Sequence, residues 1–178
     1  MEIVQLHDKT FKRFISNNEI QTSVNKIAKQ INEDYSGKQP IFIGVLNGSF
    51  LFCADLIRQF NSPCEVAFIQ FASYQGTQSS GQVKELMGLS IDIKNRDVII
   101  LEDIVDTGNT LEKLMITLKK HAPSSIKIAT LLFKPKAYKK KISIDYIAIE
   151  VGNEFLVGFG LDYDGIGRNL EHIYKIEE

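Results

Sequence analysis

Little in this 178-residue sequence is extreme, and the missing extremes close off several classes of protein. Two cysteines, Cys53 and Cys64, are too few for a disulfide framework, and neither has the C-x-x-C or His-paired spacing of a zinc site. Both sit among apolar neighbours, where a free cysteine is ordinarily a small core residue. His7, His121 and His172 are scattered, without ligand spacing. A formal net charge of -1 creates no global field that would draw nucleic acid or an anionic membrane. The opening "MEIVQLHDKTFKRFIS" lacks the basic-then-apolar pattern of a signal peptide, and no apolar run reaches bilayer-spanning length. A cytoplasmic protein with no nucleic-acid or membrane partner is therefore expected. Without repeats, low-complexity tracts or a linker, residues 1–178 are expected to form one domain with a sizeable core.

What is present is an ordinary globular composition, 44% hydrophobic and 24% charged, arranged in alternating patterns. "TSVNKIAKQINEDY" reads as a helix capped at Thr22 or Ser23, with Val24, Ile27, Ala28 and Ile31 on one stripe. "IFIGVL", "DVIILED", "IKIATLLF" and "IDYIAIEV" are short continuous apolar runs, the pattern of strands buried on both faces. "EVAFIQFASY" reads as a further strand, "EFLVGFGLDY" as one more, and "GSFLFCADLIRQF" as a helix. From Thr110, Leu111, Leu114, Met115 and Leu118 keep helical spacing, and Lys119, Lys120 and His121 suit the C-terminal dipole before Pro123. Residues 75–88 are polar, Gly/Ser-rich and aperiodic, a long connection of the kind that is either a lid or disorder, and a lid here would span 73–88. The alternation predicts an α/β fold: an open, mostly parallel sheet with helices on both faces.

The chemistry concentrates in "VIILEDIVDTGNTL", Val98 to Leu111. Glu102, Asp103 and Asp106 stand at the carboxyl end of a strand, where open α/β sheets bind ligands. Thr107, Gly108, Asn109 and Thr110 lead into a helix N-terminus, whose free N–H groups and positive dipole end favour a phosphate. A phosphate alone would be repelled by three neighbouring carboxylates. Carboxylates accept hydrogen bonds from sugar hydroxyls and can hold hydrated Mg²⁺, so a ligand with a phosphate and a ribose diol satisfies both ends. The bland alternative, a capped helix beside a solvated acidic loop, leaves the repulsion uncompensated.

This motif resembles the phosphoribosyl-pyrophosphate signature of the type I phosphoribosyltransferases. With "FIGVLNGSFLFCADL", "SYQGTQSSGQV", "LLFKPKA" and "FLVGFGLDYDGIGRNL", the chain is similar to the hypoxanthine-guanine branch of that family over nearly its whole length. The resemblance implies the type I fold, with a small hood region built from the chain termini. It also implies purine salvage: transfer of a 5-phosphoribosyl group to N9 of hypoxanthine or guanine, with Mg²⁺ as cofactor and a homodimer or homotetramer as the assembly. Carried onto this sequence, Glu102 and Asp103 hold the ribose hydroxyls and Mg²⁺, and Asp106 is the catalytic base for the purine N7 proton. Asp106, Thr107, Gly108, Asn109 and Thr110 cradle the 5-phosphate. Leu46, Asn47 and Gly48 belong to the pyrophosphate loop, where the family can carry a non-proline cis peptide at the position of Leu46–Asn47. Many relatives have a lysine where Asn47 stands. Lys134 meets the 6-oxo group of the base, Phe155 stacks on its ring, and the backbone of Leu156 reads its edge. Asp162 matches a second Mg²⁺ site beside the base, Arg168 contacts pyrophosphate, and Ser73 and Tyr74 begin the mobile loop.

Read without the resemblance, several of these residues have plainer interpretations. Phe155 would be core, Lys134 would begin a solvated basic turn "KPKAYKKK", and Asp162 and Asp164 would serve the turn before Gly165. Tyr138 within that basic turn hints at RNA contact, which the near-neutral charge opposes. The rival functions are a regulator on the same fold that binds nucleotide or RNA without turnover, a Mg²⁺-dependent phosphatase, and an adenine or orotate transferase. Lys134 opposes adenine, whose amino group wants an acceptor.

Overall fold

The computed structural model describes residues 2–73 and 83–177. The chain opens with a hairpin, β1 (Ile3–Leu6) and β2 (Lys9–Ile15), followed by α1 (Asn17–Asp34), β3 (Ile41–Leu46) and α2 (Phe50–Ile57). Next come β4 (Glu65–Ser73), β5 (Val83–Met87), β6 (Asp97–Val105), α3 (Asn109–Lys119) and β7 (Ser125–Phe133). The described chain ends with β8 (Tyr146–Glu150), β9 (Leu156–Val157) and β10 (Ile173–Ile176). Among the described residues no helix is long and apolar enough to cross a membrane.

The main sheet has the order β5-β4-β3-β6-β7-β8, parallel except for β5 at one edge. Alternation along each strand sends successive side chains to opposite faces. Ile41, Ile43 and Val45 of β3, with Val98 and Ile100 of β6, pack with Leu111, Leu114 and Leu118 of α3. Phe42, Ile99, Leu101, Ala129 and Leu131 pack on the other face with Ile20, Val24 and Ile27 of α1 and Phe52 and Leu56 of α2. Both faces are covered, which is why these strands read as unbroken apolar runs. Cys53 lies in this second cluster and Cys64 against it; burial pushes the Cys53 thiol up to about 12.

Three local differences from the sequence reading have physical causes. Helix α1 is capped at Ser16, not at Thr22 or Ser23, because Ser16 and Glu19 form a reciprocal capping box. The apolar stripe marks only the part of the helix that packs, and Ile20 extends it one turn earlier. Within the expected 73–88 loop, Val83–Met87 is strand β5, held by main-chain pairing to β4 from Gln70↔Met87 to Ser73↔Val83. Its Leu86 and Met87 are exposed, so an edge strand here leaves little hydrophobic pattern. Tyr74 and the rest of that expected loop up to residue 82 lie outside the described residues. "EFLVGFGLDY" is strand only at Leu156–Val157, because Gly158 and Gly160 bend it with positive φ.

The chain termini come together away from the main sheet. The opening stretch and residues 173–176 join β9 in a second, antiparallel sheet of order β1-β2-β10-β9, which is the expected hood. Val4, Leu6, Phe11, Val157 and Tyr174 form its small core.

Candidate active site

Strand β3 is followed by β4 on one side and paired with β6 on the other, so the strand order reverses between β3 and β6. The crevice at such a switch point, outside the carboxyl ends of the strands, is where open α/β sheets take ligands. Two connections meet there: residues 46–49 after β3 and 106–110 after β6. The Leu46–Asn47 peptide is cis. Gly48 is pressed against the acidic motif so closely that a Cβ on it would lie 1.6 Å from Asp103 Oδ2. From the hood side, a Cβ on Gly160 would lie 2.0 Å from the Gly48 carbonyl oxygen. Gly160 also has φ +100, so both its conformation and its surroundings require glycine. Asn47 is exposed and accepts a hydrogen bond from Gln70 Nε2 at 3.3 Å.

Glu102 and Asp103 lie inside β6, not beyond its end, since the strand continues to Val105. Alternation turns Glu102 toward the pocket before α3 and Asp103 toward Gly48. Glu102 is buried, and desolvation followed by the Asp103 charge raises it well above the ordinary carboxylate range. Asp103 is raised to about 6, mainly by desolvation, against the lowering effect of the Ile104 N–H that donates to Oδ1 at 2.9 Å. Arg168 lowers it and Asp162 raises it, so both hood residues act electrostatically on the strand carboxylate. Two neighbouring carboxylates that cannot both ionise comfortably are a donor set suited to a hard divalent cation. Among the described residues no three acidic or imidazole groups converge on a ready-made metal cage.

Beside Glu102 opens a small pocket lined by Asp106, Thr107, Gly108, Asn109, Thr110 and Leu111. Gly108 caps α3 in a left-handed conformation, φ +83, leaving the first-turn N–H groups of the helix facing this pocket. All five residues expected to bind the phosphate are therefore brought together.

Lys134 follows β7 and its backbone N–H donates to Val105 O, which draws it across the mouth of the same loop. Its side chain is buried, contrary to a solvated turn, and Nζ lies 3.1 Å from Asp106 Oδ2. Phe155 is 47% exposed, contrary to a core residue, and its ring stands edge-on to Tyr163 at 5.8 Å and tilted to Phe11 at 6.3 Å. Leu156 beside it is buried. Asp162 is taken by two internal partners, Arg168 at 2.6 Å and the Gly165 N–H at 2.8 Å. Arg168 also donates to Gly160 O at 2.7 Å. Ser73 is the last residue of β4. Sequence reasoning missed Phe11 and Tyr163, whose rings frame Phe155. Their signal was faint, because each lies in a segment with no evident periodicity.

Residues 14–164 match the phosphoribosyl transferase domain. The hypoxanthine-guanine phosphoribosyltransferase of Streptococcus pyogenes serotype M3 is 43% identical over 168 residues, 94% of this chain and 93% of that one. Among solved structures, a hypoxanthine-guanine phosphoribosyltransferase of Bacillus anthracis superposes with TM-score 0.88 at 36% identity, covering 93% of this chain and 98% of that one. A Trypanosoma cruzi hypoxanthine phosphoribosyl transferase gives 0.87 at 36% identity, covering 98% and 95%. Sequence likeness across almost the full length, on the same fold, shows that the chain belongs to the phosphoribosyltransferase family.

Proposed function

We propose that this protein is a purine salvage enzyme of the hypoxanthine-guanine type. It transfers the 5-phosphoribosyl group of phosphoribosyl pyrophosphate to N9 of hypoxanthine or guanine, giving IMP or GMP and pyrophosphate. The observation that carries the reading is the Lys134–Asp106 pair at 3.1 Å beside the phosphate pocket. It puts a donor for a 6-oxo group and an acceptor for a purine proton on one wall of the site.

In this reading the N–H groups and hydroxyls of Asp106 to Thr110 hold the 5-phosphate, and Glu102 and Asp103 accept from the ribose hydroxyls. Residues 46–48 and Arg168 receive the pyrophosphate. Phe155 stacks on the base and the Leu156 backbone meets its edge. The bond from the anomeric carbon to pyrophosphate breaks as N9 bonds to that carbon, through an oxocarbenium-like ribose. Asp106 accepts the N7 proton, a contribution of ~10²–10⁴-fold for a positioned base. Glu102 and Asp103, with Asp162 across the cleft, are the residues that would hold Mg²⁺, which when bound neutralises charge on the leaving phosphates. Ser73 and Tyr74 begin the segment that would exclude water.

Residues 1–178 would work as one domain, since Ile15, Leu156, Phe159 and Ile173 of the hood region share a core with α1 and the main sheet. The substrates suit a cytoplasmic location. A homodimer or homotetramer would cover the exposed Phe50, Val66 and Phe68, and light scattering would measure its mass. The activity test is ultraviolet-monitored turnover with phosphoribosyl pyrophosphate, Mg²⁺ and each of hypoxanthine, guanine, xanthine and adenine. Conversion of hypoxanthine or guanine, weakened at least about 100-fold in Asp106→Asn, is expected. Absence of turnover with every base would overturn the assignment.

A further inference from the structure

The basic turn after Lys134 exposes Pro135, Lys136, Lys139 and Lys141 but packs its other residues inward. Between Lys134 and Ile142 it touches the phosphate loop and the start of α3 in four places. Lys134 pairs with Asp106, and the Lys139 N–H donates to Thr107 O at 3.3 Å. The Tyr138 ring lies so close behind Gly108 that a Cβ there would meet Cε2 at 2.5 Å and the Lys140 stem at 2.8 Å. Lys140 Nζ reaches Glu112 in the first turn of α3 at 2.7 Å.

Tyr138 itself is fixed from three directions. Its hydroxyl donates to Ile142 O at 2.7 Å, its N–H donates to Lys134 O at 3.1 Å, and its ring stands edge-on to Phe133 at 5.3 Å. Phe133 is paired with Val105, the last residue of the strand that launches the phosphate loop. One aromatic ring thus backs the glycine whose left-handed turn aims the loop.

We propose that Tyr138 is a positioning residue for the 5-phosphate of the sugar substrate, bracing Gly108 from behind and linking the loop to the turn that carries Lys134. This rests on the reading of residues 106–110 as the 5-phosphate cradle. Tyr138 touches no substrate. It acts by holding the N–H groups of the loop at the spacing an anion needs, so loosening it affects one subsite and spares the others.

The test is calorimetric binding of ribose 5-phosphate and, separately, of pyrophosphate with Mg²⁺, to the wild type, Tyr138→Ala, Tyr138→Leu and Tyr138→Phe. Loss of the ring should weaken ribose 5-phosphate about tenfold or more, as expected when a positioned group slackens by a fraction of an ångström. Pyrophosphate should bind within about twofold of wild type, and Tyr138→Phe, which keeps the ring, should restore ribose 5-phosphate binding. Tyr138→Leu keeps apolar bulk without a flat face and serves if the alanine variant fails to fold. Equal weakening of both ligands, or no weakening of either, would overturn the proposal. Because these are binding measurements, they decide the role of Tyr138 even if no base is converted, a result that would instead overturn the salvage reading.

Discussion

Replacing Gly48 with alanine probes how closely the pyrophosphate loop is fitted to the acidic strand end. Gly48 does not have positive φ, so the backbone accepts alanine, and the obstacle is the Asp103 carboxylate, 1.6 Å from the new Cβ. Reaching even a 3.0 Å separation requires a retreat of about 1.4 Å by one side or the other. If Asp103 moves, its hydrogen bond from Ile104 N–H is given up, worth ~1.5–3 kcal/mol for a charged acceptor. A displacement near 1 Å of a group that positions substrate costs on the order of 100-fold in rate, about 2.7 kcal/mol. Steady-state turnover with hypoxanthine should therefore show kcat/KM for phosphoribosyl pyrophosphate lowered about 100-fold, with unchanged circular dichroism. Gly37→Ala is the matched control: φ is +72 with nothing within 4 Å, so it carries only a backbone cost of ~1–2 kcal/mol. Wild-type kcat/KM in Gly48→Ala, or an equal loss in Gly37→Ala, would refute the argument.

The raised carboxylates give a pH signature. In the metal-free protein Asp103 titrates near 6 and Glu102 well above its ordinary range, against about 4 for both when unfolded. The folded state then holds more protons, so the contribution of Asp103 to stability is full below about pH 4 and is lost as pH rises through about 6, while Glu102 is raised in the same direction. Denaturant midpoints of wild type relative to Asp103→Asn, measured with chelator, should accordingly fall from pH 5 to pH 7; a constant difference would contradict the burial argument. Ser16→Ala removes one half of the α1 capping box and should cost ~1 kcal/mol, or ~2–4 °C in melting temperature, with activity retained. A melting temperature equal to that of the wild type would show that the cap contributes nothing.

The central sheet was legible because its strands are buried on both faces and so carry unbroken apolar runs. The anion-binding loop was legible because glycine, threonine and carboxylates gather in one short segment. The hood was less so. β1 and β2 are half exposed, β9 has two residues, and β10 finds its partner β2 far away in sequence, so no local pattern announces them. Without the family resemblance Lys134 would read as one more lysine in a basic turn, because neither its burial nor its N–H bond to Val105 O leaves a mark in the local sequence. Tyr138 escaped for a related reason: its partner is the bare α-carbon of a glycine, and an absent side chain leaves no complementary residue to find.

The hood has a temporal consequence. β10 lies between β2 and β9, with Ile173 opposite Ile15 and Tyr174 opposite both Arg13 and Val157. During synthesis the N-terminal hairpin emerges first and waits through more than 150 residues for that strand. Closing so long a span carries a loop entropy that the earlier local contacts do not. Until then Phe11, fully buried in the finished molecule, lacks its cover, and the segment bearing Phe155, Asp162 and Arg168 is not anchored by β10. The parallel-sheet half can form while the chain is still being made; the hood is assembled last.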